Sequence, residues 1–593
     1  MVHHFHIPVL GLGYSIDTPL KVAKYGISSV VSVVDDELIE RMRKYHCKLN
    51  DLEFIPIAKK SFNSRADRIT SYLNLLNNLV QLQFKALKEM PFVLGNDLCK
   101  YFELLPNDSQ LKLGYELMMD YPEGDRKQIF QNILKKRMKV GSIDVNIMAK
   151  VDKQNFSSTH EYLGDEHTDA LAALRGFAES NLTSSVVLSA GMNPKLYSYI
   201  SQFDNFFPDE NGALQKQIIL KVSDFRSALI QAKFLAKKGL WISEFRIESG
   251  LNCGGHAFAT EGYLLGPILE EFKQNKTHLI TELYELYGAA LQEKKYKSVT
   301  APQQRITVQG GIGTASENNF LLKHYHLDAT GWGSPFLLVP EVTNVDQTTL
   351  QKLVDANEED YFLSNSSPLG IRFNNFKGSS IEEQRLQRIE KGRPGSPCTK
   401  KYLCTNTEFT EQPICTASSA YQNLKIKQLA TLALSAKEFE VKFNAITEKV
   451  CLCEGLCASV YIKDEMIKPK ESIAVAICPG PNLAYFSNTY TLQEMVHHIY
   501  GQLDLLEKVK RPHFFIKELN LYIDYLQKEV QEHLKDLNDK KTKQLSKFKT
   551  QLLDGIAYYK SLFLTTENHL TFSTVNPYAD LLTAEAKLSN TVI

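Results

Sequence analysis

A chain of 593 residues is longer than one ordinary core can organise, so one large domain with additions is expected. Hydrophobic residues at 43% and charged residues at 23% match an ordinary soluble globular protein. Lys plus Arg and Asp plus Glu balance at 68 each, which excludes a global field favouring nucleic acid or an anionic membrane.

The first residues, Met1 to His6, lack the basic start and apolar core of a signal peptide. No apolar run approaches the roughly 18–20 residues that span a bilayer. A soluble cytoplasmic protein is therefore the expectation. His3, His4 and His6 read as an exposed tail leading into the first strand rather than as metal ligands.

Short β-rich runs alternate with helical stretches through the first 345 residues, the pattern of a parallel α/β architecture. Strands are expected at 6–11, 28–34, 142–149 and 184–190, then at 216–222, 243–248, 305–309 and 327–331. Eight strands in series is the number that closes a (β/α)8 TIM barrel. Between strands two and three, residues Leu73, Leu76, Val80, Phe84 and Leu87 recur at helical spacing, which predicts a helical insertion. A second helical stretch follows strand six at 260–298. Both leave the C-terminal face of the barrel, where barrel active sites lie, so both are placed to cover the site.

The expected division is a barrel over 1–36 and 140–345, a helical insertion over 37–139, a Cys-rich α+β extension over 346–500 and a helical region over 501–593. In the last of these, Ile516, Leu519, Ile523, Leu526, Val530, Leu534 and Leu537 form one apolar stripe, resumed by Phe548, Leu552 and Ile556. The stripe either packs on its own barrel or forms a hairpin arm joining two copies in a homodimer.

Two glycine-rich turns follow the last two strands: Gly310-Gly311-Ile312-Gly313-Thr314 and Gly331-Trp332-Gly333-Ser334. Backbone N–H groups at a helix N-terminus attract phosphate, and this pair of loops is the usual phosphate site of barrels. The plainer alternative is that these glycines only make tight turns. After strand six comes Gly250-Leu251-Asn252-Cys253-Gly254-Gly255-His256, which aims a histidine over the barrel mouth. Histidine transfers protons near neutral pH, although a lone histidine also serves structure.

These motifs resemble a family. GLNCGGH resembles the G-x-E-A-G-G-H motif of nitronate monooxygenases (2-nitropropane dioxygenase-like enzymes), and GGIGT with TGWGSPF resembles their phosphate segments. GGIGT is closer still to the trans-acting enoyl reductases of polyunsaturated fatty acid and polyketide synthases. Pro8-Val9-Leu10-Gly11 and Thr18-Pro19-Leu20 match the family's first strand and turn, and Asp144-Val145-Asn146 its third strand. The resemblance covers residues 1–36 and 140–345; Asn252 and Cys253 depart from it, replacing an acidic residue and an alanine.

What the resemblance implies is an FMN-dependent oxidoreductase. FMN would lie across the barrel mouth beside Gly11, Gly254 and Gly255, its phosphate held by Gly310, Gly311, Gly313, Thr314, Gly331, Gly333 and Ser334. Asn146 or Lys221 would contact the ring, and His256 would move the proton. That role suits nitronate oxidation, or reduction by NAD(P)H of an enoyl group linked to an acyl carrier or CoA. A non-catalytic scaffold on a flavin-type barrel is the alternative of a different class. No further G-x-G-x-x-G follows a strand, so a nicotinamide would dock at the flavin site. The long additions suit a large or acyl-linked substrate better than a small one.

Ten cysteines are present, and Cys398, Cys404, Cys415, Cys451, Cys453 and Cys457 cluster late in the chain. Thiolates hold zinc or iron–sulfur clusters, but C-x-C with C-x3-C is not a standard spacing, and buried structural thiols or a redox role stay open. The expectation is no metal. Cys253 is the thiol placed to meet substrate.

Overall fold

The computed structural model describes the chain apart from residues 1, 148–151, 158, 160, 190, 258–260, 298–299, 398, 534–538 and 566–576. Runs such as Ser28–Ser32 and Lys216–Val222 are β-branched and buried on both faces, the character of strands covered by helices on one side and a core on the other. Eight of them pair in parallel: β1 (Phe5–Ile7), β2 (Ser28–Ser32), β3 (Ile143–Ile147), β4 (Ser184–Leu188), β5 (Lys216–Val222), β6 (Ile242–Glu248), β7 (Arg305–Gln309) and β8 (Ala329–Gly331). The register of β1 on β8, Phe5 to Thr330 and His6 to Gly331, closes the ring. The fold is a (β/α)8 TIM barrel, with strands at all eight expected places.

Helix α1 (Thr18–Val22) follows β1. Between β2 and β3 come α2 (Asp36–Leu49), α3 (Ser64–Glu89), α4 (Asp97–Glu103), α5 (Gln110–Met119) and α6 (Asp125–Arg137). Then α7 (Asp169–Ala178), α8 (Pro194–Ile200), α9 (Phe225–Ala236), α10 (Leu265–Glu293) and α11 (Ala315–His324) follow β3 to β7 in turn.

The expected cover from the strand-two insertion is corrected. The apolar stripe of α3 is buried in the outer ring against α1 and α7, and the Tyr72 hydroxyl donates to Ile16 O at 3.0 Å. Helix α4 is anchored where β3 begins, with Tyr101 OH accepting from Lys139 N and donating to Lys139 O. These helices therefore leave the mouth uncovered. Helix α10 likewise belongs to the ring, packed on α9.

Through segments between 369 and 478, residues 346–500 supply the cover instead. They form α12 (Gln347–Val354), the hairpin of β9 (Tyr361–Ser364) and β10 (Phe373–Phe376), α13 (Ser380–Glu390), α14 (Ser419–Ala430), α15 (Ala436–Thr447), α16 (Leu452–Lys463) and α17 (Leu492–Tyr500). Backbone bonds stitch this cover to the barrel loops: Gly13 N to Leu456 O at 3.1 Å, Gly255 N to Cys478 O at 3.0 Å and Ala257 N to Arg372 O at 2.9 Å. A buried ion pair, Lys400 Nζ to Asp35 Oδ2 at 2.5 Å, joins it to the cap of α2.

The chain ends in α18 (Phe514–His533), α19 (Asp539–Thr565) and α20 (Pro577–Ser589). Ile516, Leu519, Ile523, Leu526 and Val530 are buried, as are Phe548, Leu552 and Ile556, while Leu534 and Leu537 lie outside the described residues. The apolar face of the supposed dimer arm is thus used within one chain, where α18, α19, α20 and α10 pack together. Among the described residues no helix is long and apolar enough to cross a membrane.

Alternation sends every second strand residue into the barrel, where layers of Val, Ile and Leu are usual. Among the described residues, Val30, Val187 and Ile219 make a small apolar cluster beside Val9. The rest is ionic. Arg246 lies 2.7 Å from Glu244 and 3.7 Å from Asp144, and Arg305 lies 3.2 Å from Glu244. His6 belongs to this interior, its register partners being Gly331 and Ser28, and burial holds its imidazole well below the ordinary range. His3 is buried too, 2.9 Å from Tyr500 Oη. The reading of an exposed histidine tail fails at these two positions because β1 begins at Phe5 and draws its leading residues inward.

Candidate active site

Under the cover, at the C-terminal ends of the strands, lies a cavity of about 240 Å³. Gly11, Asn146, Lys221, Gly254, Gly255 and His256 all line it. They come from the ends of β1, β3, β5 and β6, which the barrel brings within reach of one another. The facing wall belongs to the cover and is largely apolar, with Leu369, Ile371, Phe373, Leu403, Leu452 and Leu456.

Lys221 is not a lone cation. Its ammonium lies 2.8 Å from Glu248 Oε2, and the other oxygen of Glu248 accepts from Gln309 Nε2 at 2.6 Å. Glu248 also lines the cavity and escaped the sequence reading. Its signal is the alternation in Ser243-Glu244-Phe245-Arg246-Ile247-Glu248, which turns both glutamates and the arginine to one side of β6.

His256 is held by two parts of the chain. Its backbone bridges to Phe373, and its Nε2 lies 2.7 Å from Ser367 Oγ, an oxygen that also accepts from Leu369 N at 3.2 Å. Ser367 is fully buried and comes from the cover, so no motif near the histidine pointed to it. Asn252, one of the two departures from the motif that this loop resembles, braces the loop. It is buried with φ +41°, a backbone region that Asn tolerates better than most residues. Its Oδ1 accepts from Gly254 N at 2.8 Å and Asn374 Nδ2 at 3.0 Å, and its Nδ2 donates to His256 O at 3.2 Å.

Neither glycine turn is among the residues lining the cavity, and a carboxylate of the protein engages the amides of the first. Glu317 Oε2 accepts from Gly313 N at 2.8 Å and Thr314 N at 3.2 Å, closing a capping box at the start of α11. Glu317 Oε1 accepts from Arg511 Nη1 at 2.5 Å, and Arg511 Nη2 donates to Gly311 O at 2.6 Å. A Cβ on Gly313 would stand 2.7 Å from the Arg511 guanidinium carbon, and one on Gly333 2.7 Å from Cys253 Cβ. Gly310 is backed by Ser249 and Asn252, and Gly331 by Gln309 and His6. Ser334 Oγ donates to Cys253 O at 3.0 Å and accepts from Gly480 N at 2.7 Å.

Cys253 is buried against Gly333, outside the cavity lining, and burial pushes its thiol up to about 12. The expectation that it meets substrate is corrected; Cys453 and Cys478, from the cover, line the cavity instead. Cys415, Cys451, Cys453 and Cys457 are buried in the core, Cys404 is half-buried, and Cys398 lies outside the described residues. Cys457 Sγ donates to Asp35 Oδ2 at 3.3 Å. Among the described residues, no three His, Cys, Asp or Glu side chains gather as a metal-holding group.

Behind the histidine loop, Glu518 of α18 accepts from Gly250 N at 2.7 Å and from Leu265 N at 2.8 Å. Burial pushes its carboxyl up to about 7, against the pull of these amides. Between the ordinary value of 4.5 and about 7, the folded chain holds a proton that the unfolded chain has released. The contribution of Glu518 is complete below the lower value and is lost as pH rises through the upper, on the order of 3 kcal/mol over the window. Glu518→Gln should flatten this fall. Urea midpoints of both proteins across the window check it, and parallel slopes would refute it.

No family model matches the chain, and no curated protein does. The enoyl reductase domain of MlnA, from the macrolactin biosynthesis cluster of Bacillus amyloliquefaciens, aligns at 14% identity over 70% of this chain and 88% of that one, with a TM-score of 0.32. A point mutant of FabK from Thermotoga maritima aligns at 10% identity over 69% and 84%, with a TM-score of 0.28. The barrel assignment rests on the strand pairing of this chain.

Proposed function

We propose that the chain is an oxidoreductase of the flavin-barrel type, working in the cavity at the barrel mouth with His256 as its proton-transfer residue. The observation that carries this reading is the convergence of Gly11, Asn146, Lys221, Gly254, Gly255 and His256 on one cavity, as the motif resemblance implies. FMN fits this site only in part. The residues expected beside the ring line the cavity, whereas the amides of Gly313 and Thr314, expected at the phosphate, are engaged by Glu317.

The work of the protein's own groups follows from their placement. The Ser367 contact limits rotation of the His256 ring, so that the imidazole presents one edge to a substrate and can accept or return a proton there. Lys221 and Glu248, paired with each other, add a donor and an acceptor to the lining of the same cavity. The apolar cover keeps water from the reacting atoms. That wall favours, as the second reading, an acyl-linked or otherwise apolar substrate over a small nitronate.

The absorption spectrum of the purified protein, with and without added FMN and then with anaerobic NADPH, tests the proposal. Flavin bands that bleach with NADPH support the reductase form, and bands that ignore it support a substrate-reduced oxidase. A colourless protein that takes up no flavin refutes the flavin-barrel reading and leaves a scaffold.

A further inference from the structure

We infer that the anion pocket at the start of α11 is filled by the chain's own Glu317 carboxylate, so that a ligand of the cavity is gripped without a terminal phosphate at the turns after β7 and β8. The inference stands on the geometry of these turns and holds whether or not the cavity is catalytic.

The turns after the seventh and eighth strands, with a helix N-terminus pointing at them, are where barrels commonly bind phosphate. All the parts of such a pocket are present: two helix-start amides at Gly313 and Thr314, and the guanidinium of Arg511. A carboxylate satisfies the same donors that a phosphate would, because both present oxygens to a guanidinium fork and to backbone N–H groups. Glu317 takes both amides on one oxygen, and Arg511 Nη1 with Phe514 N at 3.1 Å on the other. Burial alone would raise its carboxyl, yet Arg511, His513 and the hydrogen bonds hold it below the usual range, so the occupant is an anion.

The pocket is also closed. Glu317 is 2% exposed and Arg511 is 9% exposed. Asn482 Nδ2 donates to Ile312 O at 2.8 Å, His498 Nε2 lies 2.8 Å from Gly313 O, and Asn482 Oδ1 accepts from Arg511 Nε at 2.9 Å. The residues around 480–515 therefore lie across the turns that an incoming phosphate would need. A phosphate there would face the Glu317 charge at close range, or would have to break its buried pair with Arg511 first.

Thermal unfolding in sodium phosphate against sodium chloride of equal ionic strength tests this on the whole protein. The wild type should gain nothing from phosphate beyond the chloride control. In Glu317→Ala the occupant is removed, the amides of Gly313 and Thr314 are freed, and Arg511 is left a buried cation without its anion. That variant should melt lower, and phosphate should raise its Tm in a saturable way. Saturable stabilisation of the wild type, or a variant that phosphate helps no more than the wild type, overturns the inference.

Should the variant not fold, wild-type affinities for riboflavin and FMN supply a second reading. A preference for FMN of less than about tenfold supports it, and a larger one overturns it. If neither flavin binds, the proposed function fails, while the phosphate arm on the wild type still decides the present point.

Discussion

Arg511→Ala is expected to destabilise the protein by about 3–5 kcal/mol, the loss typical when one partner of a buried ion pair is removed. Three bonds of its guanidinium disappear together, to Glu317, Gly311 O and Asn482. The larger part of the effect comes from what remains: a glutamate 2% exposed, still holding three amides but without its counter-charge. The loss should therefore shrink in the double variant Arg511→Ala with Glu317→Gln, where no buried charge is stranded. Urea midpoints for the two single variants and the double give the coupling. A loss under about 1 kcal/mol for Arg511→Ala would show that the pair is no more than a surface-like contact.

His256→Ala should lower turnover by about a hundredfold to ten-thousandfold, the usual range for a positioned acid–base group, with the melting temperature little changed. The side chain is only half-buried and lines the cavity, so its removal strands no deep packing. Ser367→Ala acts through the ring, and its expected loss is smaller, roughly tenfold, with the limb of the pH–rate profile that reports His256 displaced. A stability change without that displacement would assign Ser367 to structure alone. Turnover in His256→Ala within about twofold of wild type would remove the histidine from the mechanism.

The barrel was legible because its strands are short, β-branched and covered on both faces, so that Ser28–Ser32 and Ser184–Leu188 stand out between helical stretches. The place of His256 at the cavity was legible because a glycine-rich loop directly after a strand marks a barrel mouth. The cover was not, because its contacts join residues far apart in the chain: Ser367 meets a histidine 111 positions earlier, and Lys400 an aspartate 365 positions earlier. Two local signals were present and pointed elsewhere. Thr314 and Glu317 have the spacing of a capping box, in which the glutamate takes the amides for itself. Residues 243–248 alternate charged with apolar, which fills the barrel interior with ion pairs where aliphatic layers are usual.

The bridges of His256 to Phe373 and of Gly254 to Pro479 also set an order of assembly. As the chain is synthesised, the histidine emerges more than a hundred residues before the segments that fix it. A barrel can close once β8 has been made, but the loop reaches its working shape only when the region up to about residue 480 has folded down over it. In a nascent chain ending near residue 345, the loop after β6 would lack its bridges to Phe373 and Pro479, and the histidine would lack the Ser367 hydroxyl that fixes its direction.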